Sequence, residues 1–262
     1  MRKRTAMTTE APVAAAAPAD DGPREGPFPY RDYEAARAAL RRALGAGHFF
    51  AAVLGPSGTG KSSLARQLAV DLEASRTQLV YVSSSSASAF GLVNTLARAL
   101  RVPPGRSSLE TGQLVVGALK GAPLRYALWF DEADQVSERT LREVRVLAEA
   151  DLASPQVLSV VLSGLPDLKA VLDAPELFPL KRRLAFRCQL AGLGRDELDA
   201  FLAHRFGAAA PGRFAAESKD ELFERTEAIP ALVQKVVRFA LERSGTASVT
   251  EAILREAFDA CL

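Results

Sequence analysis

The 262-residue sequence predicts an α/β protein: five strands forming a parallel sheet with helices packed against it, followed by a smaller part built of helices alone. Three observations carry this expectation. Residues Gly55, Pro56, Ser57, Gly58, Thr59, Gly60, Lys61 and Ser62 fit the pattern G-x-x-x-x-G-K-[ST], with an apolar run from Phe49 to Leu54 before it and Leu64, Leu68 and Val70 at helical spacing after it. A second apolar run, Leu124 to Phe130, stops abruptly at Asp131 and Glu132. After about Gly192 the strand-like runs cease and only helical patterns remain.

Residues 1–27 are rich in Ala, Pro, Thr and acid without periodicity, and lack the apolar surface needed to order themselves. A helix is expected from about Asp32 to Leu44, with Leu40 on its apolar side, Arg37, Arg41 and Arg42 outside, and Gly45 and Gly47 ending it. The first strand, the glycine loop and a helix to about Glu73 follow. Gln78 to Val82 reads as a second strand, Ser83 to Ser86 as a polar loop, Phe90 to Leu100 as a helix, Arg101 to Ser108 as a loop and Leu109 to Leu119 as another helix. The strand through Phe130 is followed by an amphipathic helix from Ser137 to Ala150 carrying Leu141, Val144 and Leu147. A fourth strand, Val157 to Leu162, ends at Ser163 and Gly164. Pro166 to Leu172 is a short helix, and Leu184 to Leu190 is the fifth strand, preceded by Lys181, Arg182 and Arg183. Helices are then expected at about Arg195–Arg205, Lys219–Thr226, Pro230–Arg243 and Thr250–Ala260, the last with Ser248 and Glu251 spaced as a capping box. This divides the chain into a tail (1–27), a core (28–191) and a helical part (192–262).

Composition narrows the classes. Apolar content is 48%, charge is 24% and net charge is +2, so any nucleic-acid binding must come from a local patch rather than an overall field. Cys188 and Cys261 lack metal spacing and argue against a disulfide scaffold. No apolar run reaches 18 residues, which fits no membrane span and a cytoplasmic protein. His48 and His204 lie far from any carboxylate or cysteine cluster and read as surface or packing residues.

The glycine loop is the element with chemistry. Glycines let the backbone curl so that successive amides cradle phosphate oxygens, and the helix starting near Lys61 adds its positive end. Lys61 is placed to reach the β- and γ-phosphates of a nucleotide and the Ser62 hydroxyl to ligand Mg²⁺. Ligands of parallel sheets sit at the carboxyl ends of the strands, which puts Asp131 beside that loop as a second Mg²⁺ ligand and Glu132 as general base for the attacking water; a solvated acidic turn is the plain alternative. Ser163, at another strand end, either touches the γ-phosphate or the water, or starts a turn. Lys181, Arg182 and Arg183 form either a solvated face or a source of an arginine for a neighbouring subunit's nucleotide.

The segments GPSGTGKS, LWFDEAD, VLSGLPDL, FPLKRRLAF and IPALVQKVVRFAL, in that order, resemble AAA+ ATPases of the ExeA, TniB, TnsC and Mu B group over about residues 28–260. The first two are specific for P-loop ATPases in general; the order and spacing of the rest point to this group. The resemblance implies an αβα P-loop NTPase sandwich with a helical lid, ATP and Mg²⁺ as cofactors, and ATP-dependent homo-oligomers, rings or filaments, with nucleotide at subunit interfaces. It makes Gly55 to Ser63 the Walker A loop, Asp131 and Glu132 the Walker B pair, Ser163 the residue near sensor 1, and Arg183, with Arg182 in reserve, the arginine finger. In relatives a sensor-2 arginine often opens the third lid helix. Here Ala231 stands in its place, with Lys235 one turn on as a substitute, so slow hydrolysis is expected.

Two roles follow from the resemblance. One is a transposition helper that assembles with ATP on double-stranded DNA and recruits a transposase, for which Arg98, Arg101 and Arg106 are candidate phosphate contacts and ordinary surface arginines the alternative. The other is an ExeA-like secretion ATPase, a role that normally goes with a longer chain carrying a membrane span and a wall-binding domain. A nucleotide-gated signalling oligomer without DNA binding is a third class.

Overall fold

The computed structural model describes residues 26–46, 49–83, 89–148 and 158–262. Expectations for residues 1–25, Gly47, His48, Ser84 to Ser86, the helix end at Ala150 and Val157 lie outside them. In chain order the elements are α1 (Arg31–Ala46), β1 (Phe50–Leu54), α2 (Lys61–Leu72), β2 (Thr77–Val82), α3 (Ala89–Ala99), α4 (Ser108–Gly121), β3 (Arg125–Phe130) and α5 (Glu138–Ala148). Next come β4 (Leu158–Gly164), α6 (Leu168–Asp173), α7 (Phe178–Lys181) and β5 (Leu184–Gln189), and then the helices α8 (Leu198–Phe206), α9 (Ala216–Arg225), α10 (Pro230–Ser244) and α11 (Glu251–Cys261).

The strands form one sheet in the order β2-β3-β4-β1-β5, and every pairing is parallel. The pleat sends alternate side chains to opposite faces. Ala51, Val53, Ala127, Trp129 and Val161 enter one apolar cluster, while Phe50, Ala52, Leu128, Phe130 and Val160 enter the other. β1 and β4 are buried along their whole length, as strands covered on both faces must be, whereas the edge strand β5 alternates between half-buried and exposed. Helices α3, α4, α5 and α6 cover the second cluster through Leu92, Val115, Leu141 and Leu168. Helices α1 and α2 cover the first, and α8 to α11 extend that same cluster through Phe201, Leu222, Val236 and Leu254. The C-terminal helices thus continue the interior of the sheet's first face.

Several local expectations are corrected. α1 runs through Gly45 to Ala46, since a glycine weakens a helix by only about 0.5–1 kcal/mol and does not by itself end it. Ser163 and Gly164 belong to β4 and pair with Val53 and Leu54, since β1 offers its backbone along that full length. α11 is capped by Thr250, whose hydroxyl accepts the Ile253 amide at 3.4 Å, so the Ser248–Glu251 capping box does not form. α9 starts at Ala216, and the basic stretch before β5 begins as the short α7.

Candidate nucleotide site

β1 ends beneath the glycine loop. Gly58 and Gly60 take φ of 84° and 99°, the left-handed region that costs other residues most. Gly60 precedes α2 and no side chain caps the helix, so its first amides face the loop's interior. Gly55 is packed so closely that a Cβ would meet the Leu190 carbonyl oxygen at 2.5 Å. The loop is held from outside: the Tyr30 hydroxyl donates to the Thr59 carbonyl at 2.7 Å, and the Thr59 hydroxyl donates to the Pro56 carbonyl at 2.9 Å. The Lys61 ammonium donates to the carbonyls of Gly55 and Pro56, at 2.7 and 2.9 Å. Burial lowers its pKa, while the charges of Asp131, Asp134 and Glu132 pull it back up.

Asp131 stands opposite. Its amide donates to the Val82 carbonyl at 2.8 Å, which fixes the end of β3 beside the end of β2. Its carboxylate accepts from Ser62 Oγ at 2.7 Å and from the Glu132 amide at 3.1 Å, and short hydrogen bonds reach it from the hydroxyls of Tyr81 and Ser163. Burial alone would raise its pKa; the hydroxyls of Ser163, Tyr81 and Ser62 outweigh burial and hold it below the usual carboxylate value. Glu132 is exposed and sits at φ 54°, an uncommon conformation for a residue other than glycine and one that turns the chain sharply after the strand. Asp134 joins the ends of β3 and β4, its Oδ1 accepting the Leu165 amide at 2.9 Å.

Between loop and carboxylates lies a cleft of about 470 Å³. Ser57 to Ser63, Asp131, Glu132 and Asp134 line it, together with Pro27, Phe28, Phe201 and Arg205. α10 closes onto the loop, the Ala231 amide donating to the Gly58 carbonyl at 3.3 Å. A Cβ on Gly58 would meet that of Ala231 at 2.8 Å, so a side chain at position 58 would push α10 away.

The structure therefore brings Lys61, Ser62, Asp131 and Glu132 to one cleft. Ser163 is close but does not line it: the residue is fully buried and its hydroxyl is turned to Asp131, so it bears on a phosphate only through that carboxylate. Lys235 does not replace the missing arginine, because its ammonium donates to the Cys261 carbonyl at 2.6 Å at the end of α11; Ala231 and Gln234 face the cleft instead. Arg182 and Arg183 are exposed at the start of β5, level with Phe50 and thus at the far end of the sheet from their own chain's cleft. The Arg182 guanidinium lies over Phe178, 5.7 Å from the ring centroid. His204 packs edge-on against Phe28 at 5.4 Å between ring centroids. Sequence reasoning missed Tyr30, Tyr81, Asp134 and Arg205, which come from separate elements and carry no local pattern; only LWFDEAD, which contains Asp134, offered a signal.

The residues fit a nucleotide with Mg²⁺. The cleft volume suits a bound small molecule, and the curled loop presents amides to phosphate oxygens. Among the described residues no cluster of three or more His, Cys, Asp or Glu side chains could hold a metal alone, but Mg²⁺ characteristically takes one or two protein oxygens and completes its shell with water and phosphate. Ser62 Oγ and Asp131 would be those two oxygens, and they lie within hydrogen-bond reach of each other. Bound there, Mg·ATP would supply the phosphoanhydride bond and the charge that polarises it. The chain would supply the Lys61 cation, the two oxygens for the metal and, in Glu132, a carboxylate to take a proton from water.

The family described as AAA domain matches residues 46–172. General secretion pathway protein A of Aeromonas hydrophila is 26% identical over 215 residues, covering 79% of this chain and 39% of that protein, so the chain spans well under half the length of this relative. Among solved structures, Cdc6p of Pyrobaculum aerophilum superposes with a TM-score of 0.71 at 21% identity, covering 94% of this chain and 70% of that one. The Aeropyrum pernix ORC1 protein, solved in complex with DNA, gives 0.62 at 19% identity over 87% of this chain and 64% of that one. RuvB of Thermotoga maritima gives 0.56 at 15% identity, covering 87% of this chain and 66% of that one. Residues 46–172 are thus similar to the AAA domain family, and the chain has the P-loop AAA+ fold: a five-stranded parallel sheet flanked by helices, with a helical C-terminal part.

Proposed function

We propose that this chain is a cytoplasmic AAA+ ATPase that binds Mg·ATP in the cleft and hydrolyses it slowly, with residues 28–191 as the ATPase core and 192–262 as its lid. The observation that carries this reading is the Ser62–Asp131 pair facing Lys61 across the loop. Lys61 holds the β- and γ-phosphates, Ser62 and Asp131 the metal, and Glu132 activates the water. Ser163 and Tyr81 keep the Asp131 carboxylate ionised and aimed. Arg183, or Arg182 behind it, serves as an arginine finger in a neighbouring copy, which makes hydrolysis depend on assembly into a ring or filament.

Calorimetric titration with Mg·ATP tests the site. Lys61→Ala is expected to lose ATP affinity by at least a hundredfold, and native affinity in that variant would overturn the assignment. Glu132→Gln is expected to keep ATP binding while phosphate release falls to background; undiminished turnover would remove Glu132 as the base.

For the partner, the ExeA-like secretion role is the reading better supported, because the sequence likeness to general secretion pathway protein A extends across 79% of the chain. Among the described residues no helix is long and apolar enough to cross a membrane. The transposition-helper role, with double-stranded DNA held by Arg98, Arg101 and Arg106 and a transposase recruited, rests on the fold shared with DNA-bound ORC1 and on exposed arginines. Fluorescence anisotropy with labelled duplex DNA and ATP separates the two: salt-sensitive, ATP-dependent binding favours the helper, and none favours secretion.

A further inference from the structure

The Asp131 carboxylate takes four hydrogen bonds, two on each oxygen. Oδ1 accepts from the Ser163 hydroxyl and from the Glu132 amide, the latter at 3.1 Å. Oδ2 accepts from Ser62 Oγ at 2.7 Å and from the Tyr81 hydroxyl. An ionised carboxylate offers about four acceptor positions, so this one is saturated by its own chain. A metal ion, or a water carried by that ion, reaches the carboxylate only if one of these donors leaves.

Three of the donors are poorly placed to leave. The Glu132 amide is backbone, in the residue next to the aspartate. Ser163 is fully buried and paired with Val53 inside the sheet. Ser62 is itself the other oxygen for the metal, and a hydroxyl can offer a lone pair to an ion while still donating its proton to Oδ2. Tyr81 differs on each count. It lies on β2, an edge strand of the sheet, in register with Trp129 and hence on the face that carries α2. Its side chain is 45% exposed, whereas Tyr30, Tyr33 and Tyr126 are buried. Rotation of an exposed side chain opens no hole in the core and takes place within nanoseconds.

We infer that Tyr81 is a placeholder for the metal: its hydroxyl fills an acceptor position of Asp131 in the unloaded site and swings out when Mg²⁺ comes in with the nucleotide. This rests on the nucleotide reading of the cleft. Before that exchange the phenol supports the carboxylate as Ser163 does. On loading the two hydroxyls differ, because Ser163 stays behind the carboxylate and Tyr81 competes for its open side.

The test titrates Mg²⁺ into wild-type and Tyr81→Phe protein at fixed ADP. Phenylalanine keeps the ring and removes the competing hydroxyl. Tyr81→Phe is expected to bind Mg²⁺ roughly five- to tenfold more tightly than wild type, with ADP affinity in EDTA unchanged. A hydroxyl that only braced the carboxylate, or that bound the metal itself, would give the opposite sign. The exchange is also read in wild-type protein labelled with fluorotyrosine. The fluorine resonance of Tyr81, identified by its absence from Tyr81→Phe, should move toward that of free tyrosine when Mg²⁺ is added to the ADP-bound protein, and should stay in place with ADP and EDTA. Weaker or unchanged Mg²⁺ affinity in Tyr81→Phe, or a Tyr81 resonance that does not move while Mg²⁺ binds, would each overturn the inference. Wild-type protein that binds no nucleotide, with or without Mg²⁺, would instead remove the nucleotide reading itself.

Discussion

Asp131 accepts hydrogen bonds from the hydroxyls of Ser62, Tyr81 and Ser163 and from the Glu132 amide. A carboxylate held this way keeps its charge although it is only 5% exposed. Ser163 is the cleanest point to disturb, since it lies behind the carboxylate and touches no ligand. Ser163→Ala is expected to weaken Mg²⁺ affinity by about tenfold while ATP binding without metal is unchanged, a difference that titration with Mg²⁺ at fixed nucleotide will read. The residues of the loop and the acidic strand end were legible in the sequence because each motif is short and carries its own chemistry. Tyr81 was not: it reaches Asp131 only because β2 pairs with β3, a contact between residues fifty positions apart. Lys235 misled for the same reason, as its direction is decided by α11, which the local pattern of α10 does not contain.

Helices α1 and α2 are joined by an ion pair whose geometry is better than that of most surface pairs. Arg37 Nε and Nη2 donate to the two oxygens of Asp71 at 2.7 and 2.9 Å, a bidentate contact. The Arg37 hydrogen bonds lower the pKa of Asp71 against the opposing effect of burial. A depressed carboxylate adds stability that is present above its unfolded pKa, near 3.9, and lost as pH falls through the lower folded value. Asp71→Asn is therefore expected to cost about 1–2 kcal/mol at pH 7, with the gap from wild type closing as pH drops below about 4. Urea denaturation across pH checks this, and a gap that persists or widens in acid would contradict it. The strands themselves were readable from apolar runs, and so were most helices. Their order in the sheet was not, because β2-β3-β4-β1-β5 is a matter of which strand finds which neighbour. The helix itself was read from about Thr250, but its cap was misassigned, because Ser248 and Thr250 are both good caps and the Thr250 hydroxyl is the one that accepts the Ile253 amide.

Viewed whole, the molecule keeps its own arginines 182 and 183 at the sheet end away from its cleft. If Arg183 acts on a nucleotide, that nucleotide belongs to another copy. Arg183→Ala is expected to bind ATP and hydrolyse it poorly; mixed with Lys61→Ala, it should regain part of the wild-type rate at hybrid contacts. Phosphate-release assays on the mixture decide this, and no regain between folded, assembling variants would rule out a finger supplied in trans. The separation of a helical C-terminal part was visible in the sequence, but its attachment was not. Leu40, Leu68, Phe201, Val236 and Leu254 share a single apolar cluster that runs from the sheet into the last helices. The C-terminal helices have no interior separate from that cluster, so heating should give a single calorimetric transition with equal calorimetric and van't Hoff enthalpies; two resolved peaks would contradict this. Any displacement of the phosphate loop would then be felt by the last helices through shared packing, since the two parts are not joined as a detachable flap.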